Sequence, residues 1–327
     1  MKNPLPPVPS RPCLAVRRSL LAAAALAAGL PPALWAQEPE SAAGVADEAS
    51  SRVKFLGEAG VVFQPETDID GPGDGAFEVV RYDAGVLLST DLTDRLRWGN
   101  TLFAGISDYE FDGGGFAAGD PWDTTVLLRY GTSFGYRLNE TWGVRAGGVF
   151  MYSRETDADW STSFTGGGTV GVDYRVNNRL FLTAGLGVTS QIEDSEQLVP
   201  AIGFVWEATD DWTVRVGALP VSGGALAGGE VEYRFNEPLA LGLGVQFNQR
   251  RFRLDDEGIA PDGVGHDQSI PVRLRLGWNI NPAVSLHLLT GVAVGGELEL
   301  ADRDGVVLRN EDYDPALYFG LRFLGRF

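Results

Sequence analysis

Apolar and polar residues alternate with a period of two along most of the chain from Val53 onward. Over 270–280, Ile270, Val272, Leu274, Leu276, Trp278 and Ile280 share one face, against Arg273, Arg275, Gly277 and Asn279. Over 142–152, Trp142, Val144, Ala146, Phe150 and Tyr152 oppose Gly143, Arg145 and Gly147. Over 239–247, Leu239, Leu241, Leu243, Val245 and Phe247 oppose Gly242, Gly244 and Gln246. Successive side chains of a strand point to opposite faces, so each stretch predicts a strand with one wholly apolar face. The other face carries Gly, Arg, Asn and Gln, which is wrong for a second hydrophobic layer.

The breaks between these stretches are of two alternating kinds. Six are tight turns: Thr93-Asp94, Asn139-Glu140, Asn177-Asn178, Asp210-Asp211, Asn236-Glu237 and Asn281-Pro282. Asn, Asp and Pro tolerate or pre-set turn dihedrals. Seven are longer and polar: 64–76, 110–121, 154–162, 191–197, 220–229, 253–268 and 301–314. Thirteen connections join fourteen strands, and short turns on one rim with long loops on the other is the outer-membrane barrel arrangement. The expected fold is therefore an all-β transmembrane antiparallel barrel of about fourteen strands. Twelve is the alternative, because the hairpin around 211–236 alternates least clearly.

Tryptophans separate lipid from a buried core. Trp98, Trp142, Trp212 and Trp278 all fall within a few residues of a tight turn, on the apolar face. Aromatic rings at one level form the interfacial girdle of a membrane barrel.

The ends of the chain carry export and assembly features. Lys2, Arg11, Arg17 and Arg18 precede an apolar run from Leu20 to Leu30 and a small residue at Ala36. That is the order of a secretory signal peptide, expected over 1–36. The run is shorter than the roughly 20 residues of a membrane helix. A short periplasmic tail, 37–52, and the barrel, 53–327, are expected to follow. Cys13 is the only cysteine and falls in the signal, so the mature chain has no thiol. At the other end, Leu317, Phe319, Leu321, Phe323 and Phe327 alternate with Tyr318, Gly320, Arg322, Leu324 and Arg326. This resembles the terminal strand that the barrel-assembly machinery recognises, with Phe323 and Phe327 as its aromatic markers and Gly325 where an aromatic is usual.

The stretch from Leu198 to Phe327 resembles uncharacterised outer-membrane barrel proteins of proteobacteria. The residues that carry this are Pro200-Ala-Ile-Gly-Phe, Trp206, Asp211-Trp212, Arg251-Phe-Arg-Leu and Gly295-Gly-Glu-Leu. The resemblance implies fold and location and no activity.

Charge and composition narrow the function. The formal net charge is −18, and removing the four basic residues of the signal takes it to −22. So acidic a chain is a poor nucleic-acid binder. With 44% hydrophobic and 10% aromatic residues it is not a disordered acidic segment. No cofactor is expected. Lipopolysaccharide, outer-membrane lipid and the assembly machinery are the expected partners, and the sequence leaves the oligomeric state open.

Candidate catalytic groups are few. His266 falls in a long polar segment with Asp262 and Asp267, and reads as a solvated loop residue. His287 shares the inward face with Ser285, whereas a lipid-acting Ser–His pair would face the lipid. No nucleophile elbow, zinc-binding His-Glu-x-x-His or phosphate loop is present. Gly113-Gly-Gly reads as a mobile loop tip, and Gly166-Gly-Gly as a strand of small residues. Asp68, Asp70 and Asp74 resemble part of a calcium loop but lack its fifth-position acid and closing Glu. The clusters Glu155/Asp157/Asp159, Glu193/Asp194/Glu196, Asp255/Asp256/Glu257 and Glu311/Asp312/Asp314 read as solvated loops.

The inward face is the most informative. By alternation Arg129, Arg145, Arg175, Arg215, Arg234, Arg273, Arg275 and Arg322 point inward, with Glu58, Asp83, Asp173, Glu230 and Glu232 as the clearest inward acids. An arginine ladder in an open pore favours anions. The same residues can instead pair with one another and fill the lumen, as in small barrels. A passive channel for small solutes is thus the leading expectation. A structural or surface-interaction barrel is second, and a lipid-acting enzyme a distant third.

Overall fold

The computed structural model describes residues 53–217 and 225–327. The expected signal peptide, the periplasmic tail and residues 220–224 of the expected loop 220–229 lie outside the described residues. Regular structure in the described residues is entirely strand. The first eight strands are β1 (Val53–Ile69), β2 (Gly75–Asp91), β3 (Leu96–Asp112), β4 (Thr125–Arg137), β5 (Trp142–Glu155), β6 (Phe164–Asn177), β7 (Leu180–Gln191) and β8 (Asp194–Glu207). The rest are β9 (Trp212–Gly217), β10 (Ala225–Asn236), β11 (Leu239–Arg253), β12 (Val264–Asn281), β13 (Val284–Ala301), β14 (Val307–Tyr313) and β15 (Ala316–Arg326).

From β1 to β14 each strand pairs antiparallel with the next, and the sheet closes on itself through β15 and β1. β14 and β15 both lie between β13 and β1, so they are two halves of one stave. Asp314-Pro315 separates them, as expected where proline has no N–H to give the ladder. β1 bulges at the same level, between Gln64 and Thr67. The result is a closed barrel of fourteen staves. β9 has six residues within the described part of the chain, in the hairpin whose alternation is weakest.

The six tight turns form where the sequence predicts them, for a visible reason. Asn139 Oδ1 accepts from the backbone N–H of Thr141 (2.9 Å) and Trp142 (2.8 Å). Asn281 Oδ1 accepts from Ala283 (2.8 Å) and Val284 (2.9 Å). Asn177, Asn236, Thr93 and Thr209 supply the equivalent acceptor at the other four turns. A short polar side chain thus satisfies the amide that a tight turn strands.

Outside, the wall is apolar around its circumference. Leu102, Ile106, Leu128, Phe150, Val170, Leu186, Ile202, Leu243, Leu274, Leu288 and Phe319 are all exposed. A water-soluble monomer rarely shows so large an apolar patch. A closed barrel leaves no sheet edge unpaired in lipid, which is why barrels can span a bilayer. Trp142, Trp212 and Trp278 are exposed beside their tight turns, at the rim of this belt. One residue departs from the pattern: Phe247, at an apolar-face position, is buried. The β11–β12 pairing is interrupted there, between Val245–Val272 and Asn248–Ser269, with the register unchanged across the gap.

The longer connections differ most from expectation. The segment 191–197 is a turn at Ile192-Glu193, with Gln191 already opposite Asp194. Much of 64–76 and 253–268 is strand, since β1 runs to Ile69 and β12 starts at Val264. The staves therefore rise above the membrane belt. Their upper ends bend inward: Arg253 at the top of β11 pairs with Arg154 at the top of β5, across the mouth.

Candidate functional site

The inward bend builds a hydrophobic cap. Trp122, from the β3–β4 loop, is 2% exposed. It stands edge-on to Tyr109 (5.9 Å), Phe111 (5.3 Å), Phe116 (5.5 Å) and Phe252 (5.3 Å). T-shaped contacts set the positive ring edge against a negative face. Phe77, Val79, Leu254, Leu298, Leu300 and Tyr313 complete the cluster. Arg309 donates to the carbonyl oxygens of Gly115, Phe116 and Ala118 at 3.0–3.2 Å, fixing the β3–β4 loop over the mouth.

Gly113-Gly-Gly is consequently no mobile tip. Gly113 (φ +92°) and Gly73 (φ +115°) lie in the left-handed region, and a Cβ on Gly113 would come within 2.2 Å of the Asp74 carbonyl oxygen. Two glycine loops interlock, and side chains would separate them. Other acidic residues expected to be solvated are also engaged. Glu155 is buried and accepts from the N–H of Asp123 (2.8 Å) and Asp255 (3.1 Å). Glu193 pairs with Arg253. Asp68, Asp70 and Asp74 remain exposed, and no group of three metal-ligating side chains converges among the described residues.

Just beneath the cap lies a polar layer. Asp267, 1% exposed, accepts from Arg81 Nη2 (2.8 Å) and the Tyr109 hydroxyl (2.7 Å). Arg250 acts on the same carboxylate without a hydrogen bond to it. His266 is also no loop residue. It sits buried in β12 opposite Arg251, which is linked to Glu299 at 3.4 Å. A strand tilted by about 40° climbs roughly 2.5 Å per residue, so an apolar band of ~25 Å takes about ten residues. Counted from Trp278, that band ends near Ile270 and leaves His266 above it. Burial, with the Arg251 charge adding to it, lowers the His266 pKa to about 4.

Below this layer the lumen opens into a chamber of about 180 Å³. Its wall mixes apolar side chains, among them Phe103, Leu127, Met151 and Leu289, with six arginines and one acid, Asp83. Lower still, near the tight turns, are two further cavities of about 370 and 740 Å³. Arg273 borders both the chamber and the first of these.

The eight inward arginines of the sequence reading divide between paired and unpaired. Arg322 donates to Asp83 at 3.1 Å and is 2% exposed. Arg145 lies 2.7 Å from Asp173. Arg273 and Arg275 converge on Glu230 at 3.1 and 2.6 Å, Arg275 also reaches Glu232 at 2.6 Å, and Arg215 approaches both acids. Arg175 and Arg234 are exposed at the tight-turn end. Arg129 has no hydrogen-bonded carboxylate; it lies over the Phe103 ring at 5.4 Å, in the field of Glu58. Much of the ladder is therefore neutralised, because strand register brings a carboxylate beside each of five guanidiniums. Sequence reasoning missed Arg81 and Arg250, although alternation could have found them: Arg81 shares the inward face of Asp83 and Arg250 that of Gln246.

The remaining candidates are quickly located. Ser285 donates its hydroxyl to Asn279 Oδ1 (2.8 Å) rather than to His287. Phe323 and Phe327 are exposed on the outer face, and Phe327 exchanges two backbone hydrogen bonds with Phe55 at the seam where the barrel closes.

No protein-family model matches the sequence, and no curated protein matches it. Among solved structures, the chain is similar to an outer-membrane channel from Pseudomonas putida F1: 13% identity, 86% of this chain and 100% of that one, TM-score 0.46. It is similar to a FadL homologue of Pseudomonas aeruginosa at 10% identity, 84% and 90% coverage and TM-score 0.46. The toluene transporter TodX of P. putida gives 10% identity, 91% and 92% coverage and TM-score 0.44. At these values the likenesses add nothing to the barrel that strand pairing already establishes. The chain is a transmembrane β-barrel of the outer-membrane type, on the evidence of its own closure, apolar belt and tight-turn rim.

Proposed function

We propose that this barrel is an outer-membrane channel for small solutes, held closed at its loop end by the cap and selective for anions. The observation that carries this reading is the chamber, a cavity left open in the middle of the lumen with six arginines and one acid on its wall. A lumen packed solid for structural reasons would have no use for surplus guanidinium charge, since each buried cation costs several kcal/mol unless compensated. In a narrow, low-dielectric passage such charges act strongly on a passing ion. The barrel performs no catalysis in this reading, and the assembly machinery reads Phe323 and Phe327 on the last strand.

Single-channel recording of the purified protein in a planar bilayer tests it. Discrete openings and a reversal potential on the anion side are expected under a salt gradient. Cation preference would sink the arginine argument. The second reading, a structural barrel, is favoured by the Arg273–Glu230–Arg275 network and the packed cap. Absence of any conductance, with the barrel folded and inserted, would establish it instead.

A further inference from the structure

We infer that the chamber beneath the cap binds a small organic monoanion with a compact apolar body, of the class of single-ring carboxylates. The inference rests on the channel reading and names its solute. Size is the first argument. An apolar cavity of about 150 Å³ holds one benzene molecule, and the chamber measures about 180 Å³. One ring with a carboxylate fits this space.

Charge is the second argument. Of the six arginines on the wall, Arg322 answers Asp83, Arg273 answers Glu230, Arg251 answers Glu299 and Arg81 answers Asp267. Arg129 and Arg250 have no hydrogen-bonded carboxylate. The acids acting on them, Glu58 and Asp267, hold them only through space, and Asp267 is already engaged by Arg81 and Tyr109. Both guanidiniums line the chamber and are half-buried, so their donors remain available to it. An enclosed pair of guanidiniums without bonded acids is satisfied by a carboxylate, which accepts from each through a planar fork.

The apolar wall is the third argument. Phe103, Leu127, Met151 and Leu289 share the chamber with these arginines, and a hydrated inorganic anion gains nothing from them. A ligand pocket that is mainly apolar with a few convergent polar groups orients an amphipathic molecule.

The test is calorimetric titration of the full, folded protein in detergent with benzoate, benzyl alcohol and inorganic phosphate. Benzoate is expected to bind at least tenfold more tightly than benzyl alcohol, its near-isosteric neutral counterpart, and phosphate to displace it poorly. Arg129→Met with Arg250→Met should weaken benzoate at least tenfold and leave benzyl alcohol nearly unchanged. Arg179→Gln, which removes an exposed rim pair with Asp210, should alter neither. The wild-type comparison needs no variant, so a misfolded double variant does not blunt it. Equal affinity for benzoate and benzyl alcohol, or phosphate displacing benzoate at equal concentration, overturns the inference. Conductance without benzoate binding removes this inference and leaves the channel. Benzoate binding without conductance removes the channel and leaves the site.

Discussion

The two ends of this barrel differ in what holds them together: only the loop end adds an aromatic cluster to its ion pairs. At the loop end, bent stave tops and one long loop bury rings around Trp122 and Phe252. At the tight-turn end, the interior keeps cavities of about 370 and 740 Å³ and is held by ion pairs, Arg145–Asp173 and the Arg273–Glu230–Arg275 group. Hydrophobic burial is strong and non-directional, so it can seal a mouth from several loops at once. Ion pairs with well-matched geometry keep a lumen ordered while leaving room for water. The outer wall shows no such division, since lipid makes the same demand along the whole belt.

The largest expected effect comes from breaking the cap. Trp122→Ala removes the ring that four others contact edge-on, and truncations of buried tryptophan cost about 3–5 kcal/mol. The membrane-embedded wall does not include this residue, so insertion and heat-modifiable mobility should survive. Conductance should rise, or openings lengthen, in planar bilayers. Unchanged conductance with a folded barrel would mean that the seal lies elsewhere.

The wall gives the next effect. Leu274→Arg places a charge in hydrocarbon near the midplane, at roughly 2–4 kcal/mol. Its neighbour Arg273→Leu acts only on the lumen, where Arg275 still holds Glu230 at 2.6 Å. Denaturant titration of refolded protein in lipid should separate the two variants clearly. Equal losses would contradict the facing of β12.

That facing was legible in the sequence because lipid enforces it residue by residue. The same holds for the six tight turns, where Asn139 or Asn281 satisfies stranded amides locally, and for the stave count. The cap was not legible. Phe116 and Leu254 sit in segments that read as polar loops, Trp122 and Phe252 at the edges of the same segments, and their contacts come from β2, β3, β13 and β14. One signal was available: Phe77 and Val79 put apolar residues on the inward face of Asp83, where a water-filled lumen calls for polar ones, whereas Leu298 and Leu300 turn inward only past a register shift in β13 that alternation does not show. Inward arginines were identifiable by parity, but their pairing depends on register between strands. Only the register shows that Arg145 meets Asp173 while Arg129 meets no bonded acid.

Acid should loosen the loop end before the tight-turn end. His266 is buried above the belt near Arg251, Asp267 and Asp194, with its pKa lowered from 6.5 to about 4. Between those values the open form takes up a proton that the closed form refuses, so closure is fully favoured above pH 6.5 and weakens as pH falls. At pH 5.5 the loss is about 1.4 kcal/mol, one tenfold step. Hydrogen exchange of backbone amides over 248–268 should therefore speed up on going from pH 7 to 5.5, after correction for intrinsic rates. His266→Gln should remove most of that difference. A pH response kept in the variant would assign it to another group.

The smallest effect concerns the paired arginines, and it sharpens the contrast between the two ends. In an open channel Arg145 and Asp173, 2.7 Å apart, present a dipole to a passing ion, whereas Arg129 presents a charge. Arg145→Ala together with Arg275→Ala leaves Asp173, Glu230 and Glu232 less compensated. Anion preference should then fall by a few-fold in permeability ratio, about 1 kcal/mol or less, without loss of insertion. Adding Asp173→Asn removes the first stranded acid and should recover part of the loss. The recovery is informative because a merely weakened barrel would lose conductance without regaining selectivity. Reversal potentials of the three proteins under one salt gradient provide the measurement. If Asp173→Asn recovers nothing, then the tight-turn end does not contribute to the field that a permeating ion meets, and selectivity belongs to the chamber alone.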